Sequence, residues 1–309
     1  MIIVTGSLAF DTIMDFDGKF GDHIMPDKIH QINLSFLVNN LSKKNGGTAG
    51  NIAYNLALLG TDVSIVGAAG NDFSDYKKFL DGAGVDTSYI KTVSDKPTAS
   101  VFAMTDKADN QISAFYPGAM SENSSLILEG NPQFVVISPN DPKAMINFTK
   151  ECQEKKIPYM MDPGMQLPAL DAQDLKSMIN GATILIGNDY EIALLSSKIQ
   201  IPISKLIENV KILITTLGEK GSTIQTKDET IQIAPGKPNE VLDPTGAGDA
   251  YRAGFLAGYM QNLSLQICGQ MGSIASCFAI EKYGTTSHTF SKEEFDSRYK
   301  ENFGDRLSS

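Results

Sequence analysis

Tryptophan is absent from this 309-residue chain, and histidine and cysteine are scarce at three residues each. The cysteines, Cys152, Cys268 and Cys277, are odd in number and do not have the spacing of a metal site. They exclude a disulfide framework and a cysteine–histidine metal centre. Cys268 and Cys277 lie in an apolar helical region, so buried free thiols are expected, as suits a reducing cytoplasm. Positive charge is also short: 26 Lys and Arg stand against 36 Asp and Glu, a formal net charge of −10. No basic cluster stands out, which argues against a nucleic-acid-binding surface. No apolar run is long enough to span a bilayer, so no membrane partner is expected. The opening residues Met1–Gly6 lack a basic segment and are too short for a signal peptide; they read as a strand. A cytoplasmic location is the expectation.

A hydrophobic fraction of 42% is enough for a sizeable core. The length suits one large α/β domain with an appendage, spanning 1–309. Strands are predicted at Ile2–Thr5, Val63–Ala69, Phe134–Ser138, Pro158–Met161, Thr183–Gly187 and Ile212–Thr216, with helical stretches between them. This alternation predicts a doubly wound, mostly parallel sheet flanked by helices. Functional residues then belong at the carboxyl ends of strands, and Asp11, Asp162, Asn188 and Gly218 each follow a predicted strand. Two segments break the pattern. Residues 12–44 hold turns at Asp17-Gly18 and Pro26-Asp27 and alternating runs such as His30–Leu34. Residues 97–117 read as a hairpin, Pro97–Met104 with Gln111–Tyr116. These inserts predict a small β-sheet lid; decoration at a sheet edge is the plainer alternative.

The richest stretch is Asp243–Phe255. Small residues surround Gly246, Ala247 and Gly248, Asp249 follows, and an apolar helical pattern then runs through Ala250, Ala253, Phe255, Leu256 and Tyr259. A glycine turn opening a helix leaves backbone N–H groups without intrahelical partners, and the helix dipole adds positive potential. Such a turn holds an anion. A carboxylate there makes chemical sense if it takes a proton from a hydroxyl attacking a phosphoryl group. Alternatively, Asp249 only complements the dipole.

A second glycine turn, Gly46-Gly47-Thr48-Ala49-Gly50-Asn51, also feeds a helix, with Ile52, Leu56 and Leu59 at the spacing of a buried stripe and Gly60 as its stop. Together, these two elements resemble the paired signatures of the ribokinase-like (PfkB) carbohydrate kinase family. The segments Gly6–Asp11, Asn188–Glu191 and Thr215–Gly221 are similar to further elements of that family. They occur in its order and cover nearly the whole chain.

The resemblance implies roles. Asp249 is the general base, and the amides of Ala247, Gly248 and Asp249 hold the transferring phosphoryl group. An ordinary aspartate pKa, about 4, leaves Asp249 ionised at neutral pH without upward tuning. Asp11 and Asn51 bind sugar hydroxyls, and Gly46 and Gly47 let the backbone approach the sugar. Outside the family pattern, Asp11 would cap a turn and Asn51 would be a first-turn helix residue. Asn188 and Glu191 organise Mg²⁺ and phosphate through water, since magnesium takes few protein ligands; a helix N-cap is compatible with that role. Thr216, Gly218 and Gly221 resemble the nucleotide-binding turn, although a plain hairpin turn fits the same residues. Asp243 and Thr245 match a monovalent-cation site, with carbonyls from Ala279 and Gly284, and K⁺ is an option that only some members use. ATP and Mg²⁺ are the implied cofactors.

A sugar phosphate as substrate would need cationic side chains. Residues 12–44 offer only Lys19, Lys28, Lys43 and Lys44, and are rich instead in Phe16, Phe20, Ile32, Leu34, Phe36 and Leu37. Phe10, Met104, Phe115 and Tyr116 add flat apolar surface suited to a nucleobase. With Phe115–Met120, Asp162–Gly164 and Tyr251-Arg252, the chain resembles the prokaryotic adenosine kinase and nucleoside kinase branch. The implied reaction is ATP-dependent phosphorylation of a nucleoside, adenosine first, at the ribose 5′-hydroxyl, with Phe115 among the substrate contacts. A sugar kinase of the ribokinase or fructokinase type is the alternative. The same aromatics could instead pack within the lid or form a homodimer face. A dinucleotide-dependent dehydrogenase is disfavoured, because the first strand does not lead into a Gly-x-Gly-x-x-Gly turn.

Overall fold

The structure is a computed structural model that describes residues 1–25, 30–31, 33–108 and 110–304. The predicted turn at Pro26-Asp27, with Lys28 and Ile32, lies outside the described residues. In chain order the strands are β1 (Ile2–Thr5), β2 (Ala9–Phe16), β3 (Val38–Gly46), β4 (Val63–Gly70), β5 (Ile90–Val93), β6 (Ala99–Thr105), β7 (Gln111–Tyr116), β8 (Phe134–Ile137), β9 (Tyr159–Met161), β10 (Ile184–Asn188), β11 (Ile212–Thr216), β12 (Ser222–Gln225) and β13 (Thr230–Ile233). The helices are α1 (Thr48–Leu58), α2 (Ser74–Gly82), α3 (Pro142–Lys155), α4 (Ala172–Ile179), α5 (Asp189–Ile199), α6 (Ile203–Leu206), α7 (Ala247–Met260), α8 (Leu265–Ile280) and α9 (Lys292–Phe303).

Nine strands form the main sheet in the order β13-β12-β11-β10-β9-β8-β1-β4-β5. All neighbours from β11 to β5 pair in parallel, and β12 and β13 close one edge antiparallel. Successive residues of a strand point to opposite faces, which separates the core in two. Ile2, Val4, Phe134 and Val136 pack with α1, α2, α7 and α8. Ile3, Val135 and Ile137 pack with α3, α4 and α5 on the other face. Helices therefore cover both faces, as the alternation of elements predicts.

From β1 the chain runs outward to β4 and β5, then returns to β8 on β1's other side and continues to β11. The direction of winding reverses between β1 and β8, and ligands of such sheets bind beyond the strand ends at that point. Ser7, Thr48, Ser138 and Pro139 meet there. The Thr48 hydroxyl lies 2.9 Å from Ser138 Oγ and donates to the Pro139 carbonyl at 3.1 Å.

The two inserts form a separate four-stranded sheet, β3-β2-β6-β7. Its outer pairs are antiparallel, while β2 and β6 are parallel. Two expectations are corrected. Asp11 does not follow β1 in a loop but sits inside β2, because the chain leaves the main sheet by the short turn Gly6–Leu8 and enters the lid at Ala9. In the alternating run ending at Leu34, Asn33 and Leu34 have no regular structure, as do the residues to Leu37, and β3 begins at Val38. Cys152, Cys268 and Cys277 are buried free thiols, as expected.

Candidate active site

Gly246 caps α7 with φ of 85°, a left-handed conformation in which glycine has no Cβ to strain. A Cβ there would also press on Thr285 at 3.0 Å. The turn fixes the direction of the first α7 amides. The Ala247 N–H is used internally, donating to the Pro244 carbonyl at 3.3 Å. Among the described residues, the Gly248 and Asp249 N–H groups have no protein acceptor. The donors able to face an anion are therefore two rather than the three expected, as in any helix whose first turn closes on itself before the cap.

The second glycine turn is arranged differently. Gly47, with φ of 87°, caps α1. The first α1 amides are consumed by the loop after β1: Thr48 N–H donates to Ser7 Oγ at 3.0 Å and Ala49 N–H to the Ser7 carbonyl at 3.0 Å. This turn clamps α1 onto the end of β1. It presents Asn51 from the first turn of α1. The Asn51 Nδ2 donates to Asp249 Oδ2 at 2.8 Å, joining the two glycine-led helices. The Asn51 Oδ1 is buried with no partner. Asp11 approaches from the lid. A Cβ on Gly46 would lie 2.2 Å from Asp11 Oδ2, so the missing side chain at Gly46 makes room for that carboxylate. Phe115 shares its sheet face with Asp11: Asp11 pairs with Val101 and Val101 with Phe115 across three neighbouring strands.

Below the lid, a cleft of about 990 Å³ brings together Gly246, Ala247, Gly248 and Asp249 with Asn188, Glu191, Thr216, Gly218 and Gly221. Thr48 and Pro139 line its wall at the point where the winding reverses. Asp11, Gly46, Gly47, Asn51 and Phe115 do not line it; they lie on the lid side, with Asn51 as the bridge. Asn188 and Glu191 form a capping box at the start of α5, with Asn188 Oδ1 accepting from the Glu191 N–H and Glu191 Oε2 from the Asn188 N–H, both at 2.8 Å. The turn Gly218–Lys220 joins β11 to antiparallel β12, and the Leu217 N–H donates to the Gly221 carbonyl at 2.8 Å. A Cβ on Gly221 would collide with the Ile233 carbonyl at 2.0 Å, so packing on β13 already requires glycine there. Asp243 is a structural clasp: Oδ1 accepts from Thr245 N–H and Oδ2 from Gly284 N–H, each at 2.9 Å. Its burial alone would raise its pKa, but these bonds and nearby Lys44 together hold the carboxyl below the usual range.

Asp249 is not an ordinary aspartate. Burial pushes its pKa up to about 6, against the partial opposition of Arg252 and the Asn51 amide, with Asp162 and Asp11 adding repulsion. The expectation of an unshifted carboxyl is thus corrected, because sequence alone does not report how completely the site removes it from water. Asp11 is raised in the same way, by burial first and by Asp243 second. Glu191 is raised by burial, with the Asn188 amide opposing.

One pair at this site carries no role in the sequence reading. Arg252, 7% exposed, donates from Nε to Asp162 Oδ2 at 2.6 Å; Asp162 is 2% exposed. Both line the cleft. The signal was present: an arginine among Ala250, Ala253 and Phe255 on a buried helix must find a partner.

A model of the pfkB family of carbohydrate kinases matches residues 11–292. A nucleoside kinase of Methanocaldococcus jannaschii is 33% identical over 84% of this chain and 86% of its own length. A nucleoside kinase of Methanothermobacter thermautotrophicus is 32% identical over 98% and 96%. Among solved structures, the nucleoside kinase of Burkholderia thailandensis in complex with inosine superposes with a TM-score of 0.90 at 35% identity, covering 99% of both chains. The same enzyme in its ADP–inosine complex gives 0.88 at 36% identity over 99% of this chain and 97% of that one.

Proposed function

The chain belongs to the pfkB family of carbohydrate kinases, and from that membership we propose that it transfers the γ-phosphoryl group of ATP to the ribose 5′-hydroxyl of a nucleoside, adenosine in first place. That it is a phosphotransferase follows from the family; the acceptor is our reading. The observation that carries it is the convergence of Asn51 and Asp249 at 2.8 Å, with Asp11 entering from the lid. A hydroxyl held by Asp11 and Asn51 lies beside the one carboxylate placed at an anion-binding helix start.

In this reading the hydroxyl oxygen attacks the γ-phosphorus, its proton passes to Asp249, and ADP departs. Asp249 Oδ2 is occupied by Asn51, which leaves Oδ1 to receive the proton. A base with a pKa of about 6 is ionised at neutral pH and is closer to the working pH than a free aspartate. The Gly248 and Asp249 amides neutralise charge on the transferring group. Thr216, Gly218 and Gly221 form the nucleotide side of the cleft, and the lid excludes water that would otherwise accept the phosphoryl group. Phe115 offers a flat surface for the base on the same sheet face as Asp11.

Glu191 and Asn188 fit Mg²⁺ held through water. Their donors are oxygens, and no group of three or more His, Cys, Asp or Glu among the described residues is placed to ligate a metal directly. When bound, Mg²⁺ neutralises phosphate charge. A monovalent cation beside Asp243 and Thr245 remains optional, since both Asp243 oxygens already accept backbone N–H groups. Equal activity in K⁺, Na⁺ and choline would remove it.

A second copy of the chain is the proposed partner. The lid face opposite Asp11 exposes Leu41, Phe102, Ile112 and Tyr116, an apolar surface suited to self-association; a monomeric mass in solution would refute it. No helix among the described residues is long and apolar enough to cross a membrane, and a cytoplasmic enzyme of purine salvage is the setting we propose.

A panel of nucleosides and simple sugars with Mg·ATP, compared by kcat/KM, tests the acceptor. Nucleosides, adenosine above the rest, are expected to lead. Efficient phosphorylation of ribose or fructose with none of any nucleoside would overturn the reading in favour of a sugar kinase.

A further inference from the structure

We propose that Arg252, held in place by Asp162, is a positioning residue for phosphoryl transfer: it fixes the Gly248–Asp249 peptide that presents the anion-binding amide.

The geometry assigns this role. Arg252 Nη1 donates to the Gly248 carbonyl at 2.8 Å. That carbonyl and the Asp249 N–H belong to one planar peptide unit, so a guanidinium bonded to the oxygen fixes where the N–H points. It also polarises the unit, making the N–H a better donor to a phosphoryl oxygen. The approach is close: a Cβ on Gly248 would meet Arg252 Nη1 at 2.9 Å, so the guanidinium would have to shift. Asp162, just beyond β9, supplies the fixed point. It grips Nε at 2.6 Å, so the end of a central strand braces the first turn of α7.

Electrostatics supports the same role. Asp249 is faced by Arg252 from its own helix, by Asp162 from the end of β9, by Asp11 from β2, and by the neutral phenol Tyr76 from α2. Arg252 is the only positive group in that set, and Glu191 on α5 also faces it. A buried ion pair is often no better than apolar residues of the same volume.

The inference rests on the nucleoside kinase reading for its substrate, and its test separates the two. Wild type is first assayed with nucleosides and ribose; activity on ribose alone sinks the acceptor assignment, and the same test is then run on ribose. The variants are Arg252→Gln, which removes charge and fork, and Arg252→Lys, which keeps charge alone. Arg252→Gln is expected to lower kcat about 10–100-fold, with the acceptor KM changed less than about threefold. The acid limb of its pH–rate profile is expected to move up by about one pH unit or more. Arg252→Lys is expected to lose kcat but keep the limb near its wild-type position. Where the lone Asp162 charge destabilises Arg252→Gln, the double variant Asp162→Asn/Arg252→Gln carries the same expectation for kcat, with a smaller rise of the limb because the repulsion of Asp249 by Asp162 is removed as well. A folded variant without the guanidinium that keeps wild-type kcat and an unmoved limb overturns the proposal, as does a lowered melting temperature with no change in the limb.

Discussion

Asn51 and Asp249 are separated by 198 positions in the chain, yet the amide of one donates to the carboxylate of the other at 2.8 Å. Each belongs to the first turn of a helix opened by a glycine in a left-handed conformation, α1 at Gly47 and α7 at Gly246. The two turns differ in what their amides do. Those of Thr48 and Ala49 in α1 are spent on Ser7, while those of Gly248 and Asp249 in α7 have no acceptor among the described residues. In the proposed reading, one turn holds scaffold and acceptor side chain, and the other holds anion and base.

Replacing Asp249 with Asn keeps shape and removes the proton acceptor. Turnover is expected to fall roughly 10²–10⁴-fold, with nucleotide binding retained. Initial rates and a nucleotide titration check it, and near-normal turnover would remove Asp249 from the mechanism.

The pH dependence follows from the same carboxylate. With a pKa pushed to about 6, Asp249 is protonated and idle below that value, so kcat/KM is expected to rise with pH through about 6 and level off above it. Stability moves the other way. A carboxyl whose folded pKa is raised favours the folded state most when protonated, fully below 3.8, and that contribution is lost as pH rises through about 6. Asp249→Asn should therefore melt higher than wild type at pH 8 while being far less active. A rate profile with its limb near 4 would contradict the buried assignment.

His288 sets the acid side of stability. It is buried, bonded through Nε2 to Asn55 Oδ1 at 2.8 Å, and desolvation lowers its pKa from 6.5 to about 4. The unfolded chain takes up this proton first, so the contribution of neutral His288 is present above 6.5 and is lost as pH falls toward 4. His288→Gln is expected to flatten the pH dependence of the melting temperature over that window. An unchanged slope would show that other groups carry it.

Gly46→Ala addresses the lid side alone. The added methyl would sit 2.2 Å from Asp11 Oδ2, so the carboxylate must move off its position. Loss of a hydrogen bond to a charged group is worth about 1.5–3 kcal/mol, or roughly 10–100-fold. The nucleoside KM is expected to rise by that factor, with the ATP KM unchanged. Equal effects on both substrates would point to general misfolding.

Much of this site is legible in the sequence because its signals are local. Gly246 and Asp249 announce a glycine-opened helix with free amides in its first turn, and the five residues of β11 fall where the apolar run Ile212–Thr216 places them. What escaped is what only the assembled fold creates. Asp11 was legible as a carboxylate but not as part of β2, since the parallel pairing of Ala9–Asp15 with Ala99–Thr105 joins segments about ninety residues apart. The raised pKa of Asp249 depends on burial by several elements. Arg252 was visible as a charge out of place, but nothing local names Asp162 as its partner.

Phe115 tests the acceptor class most directly. It lies on the lid face of Asp11 through the pairs Asp11–Val101 and Val101–Phe115, and it is 47% exposed. A ring that open contributes little to folding, so its truncation should leave stability near wild type. Stacking of a base on an aromatic ring is worth about 1–3 kcal/mol, equivalent to roughly 5–150-fold. Phe115→Ala is therefore expected to lower kcat/KM for a nucleoside by a factor in that range. Ribose, which has no base to stack, should be phosphorylated by the variant no worse than by wild type. Parallel losses on both acceptors would place Phe115 in the packing of the lid and remove it from base recognition.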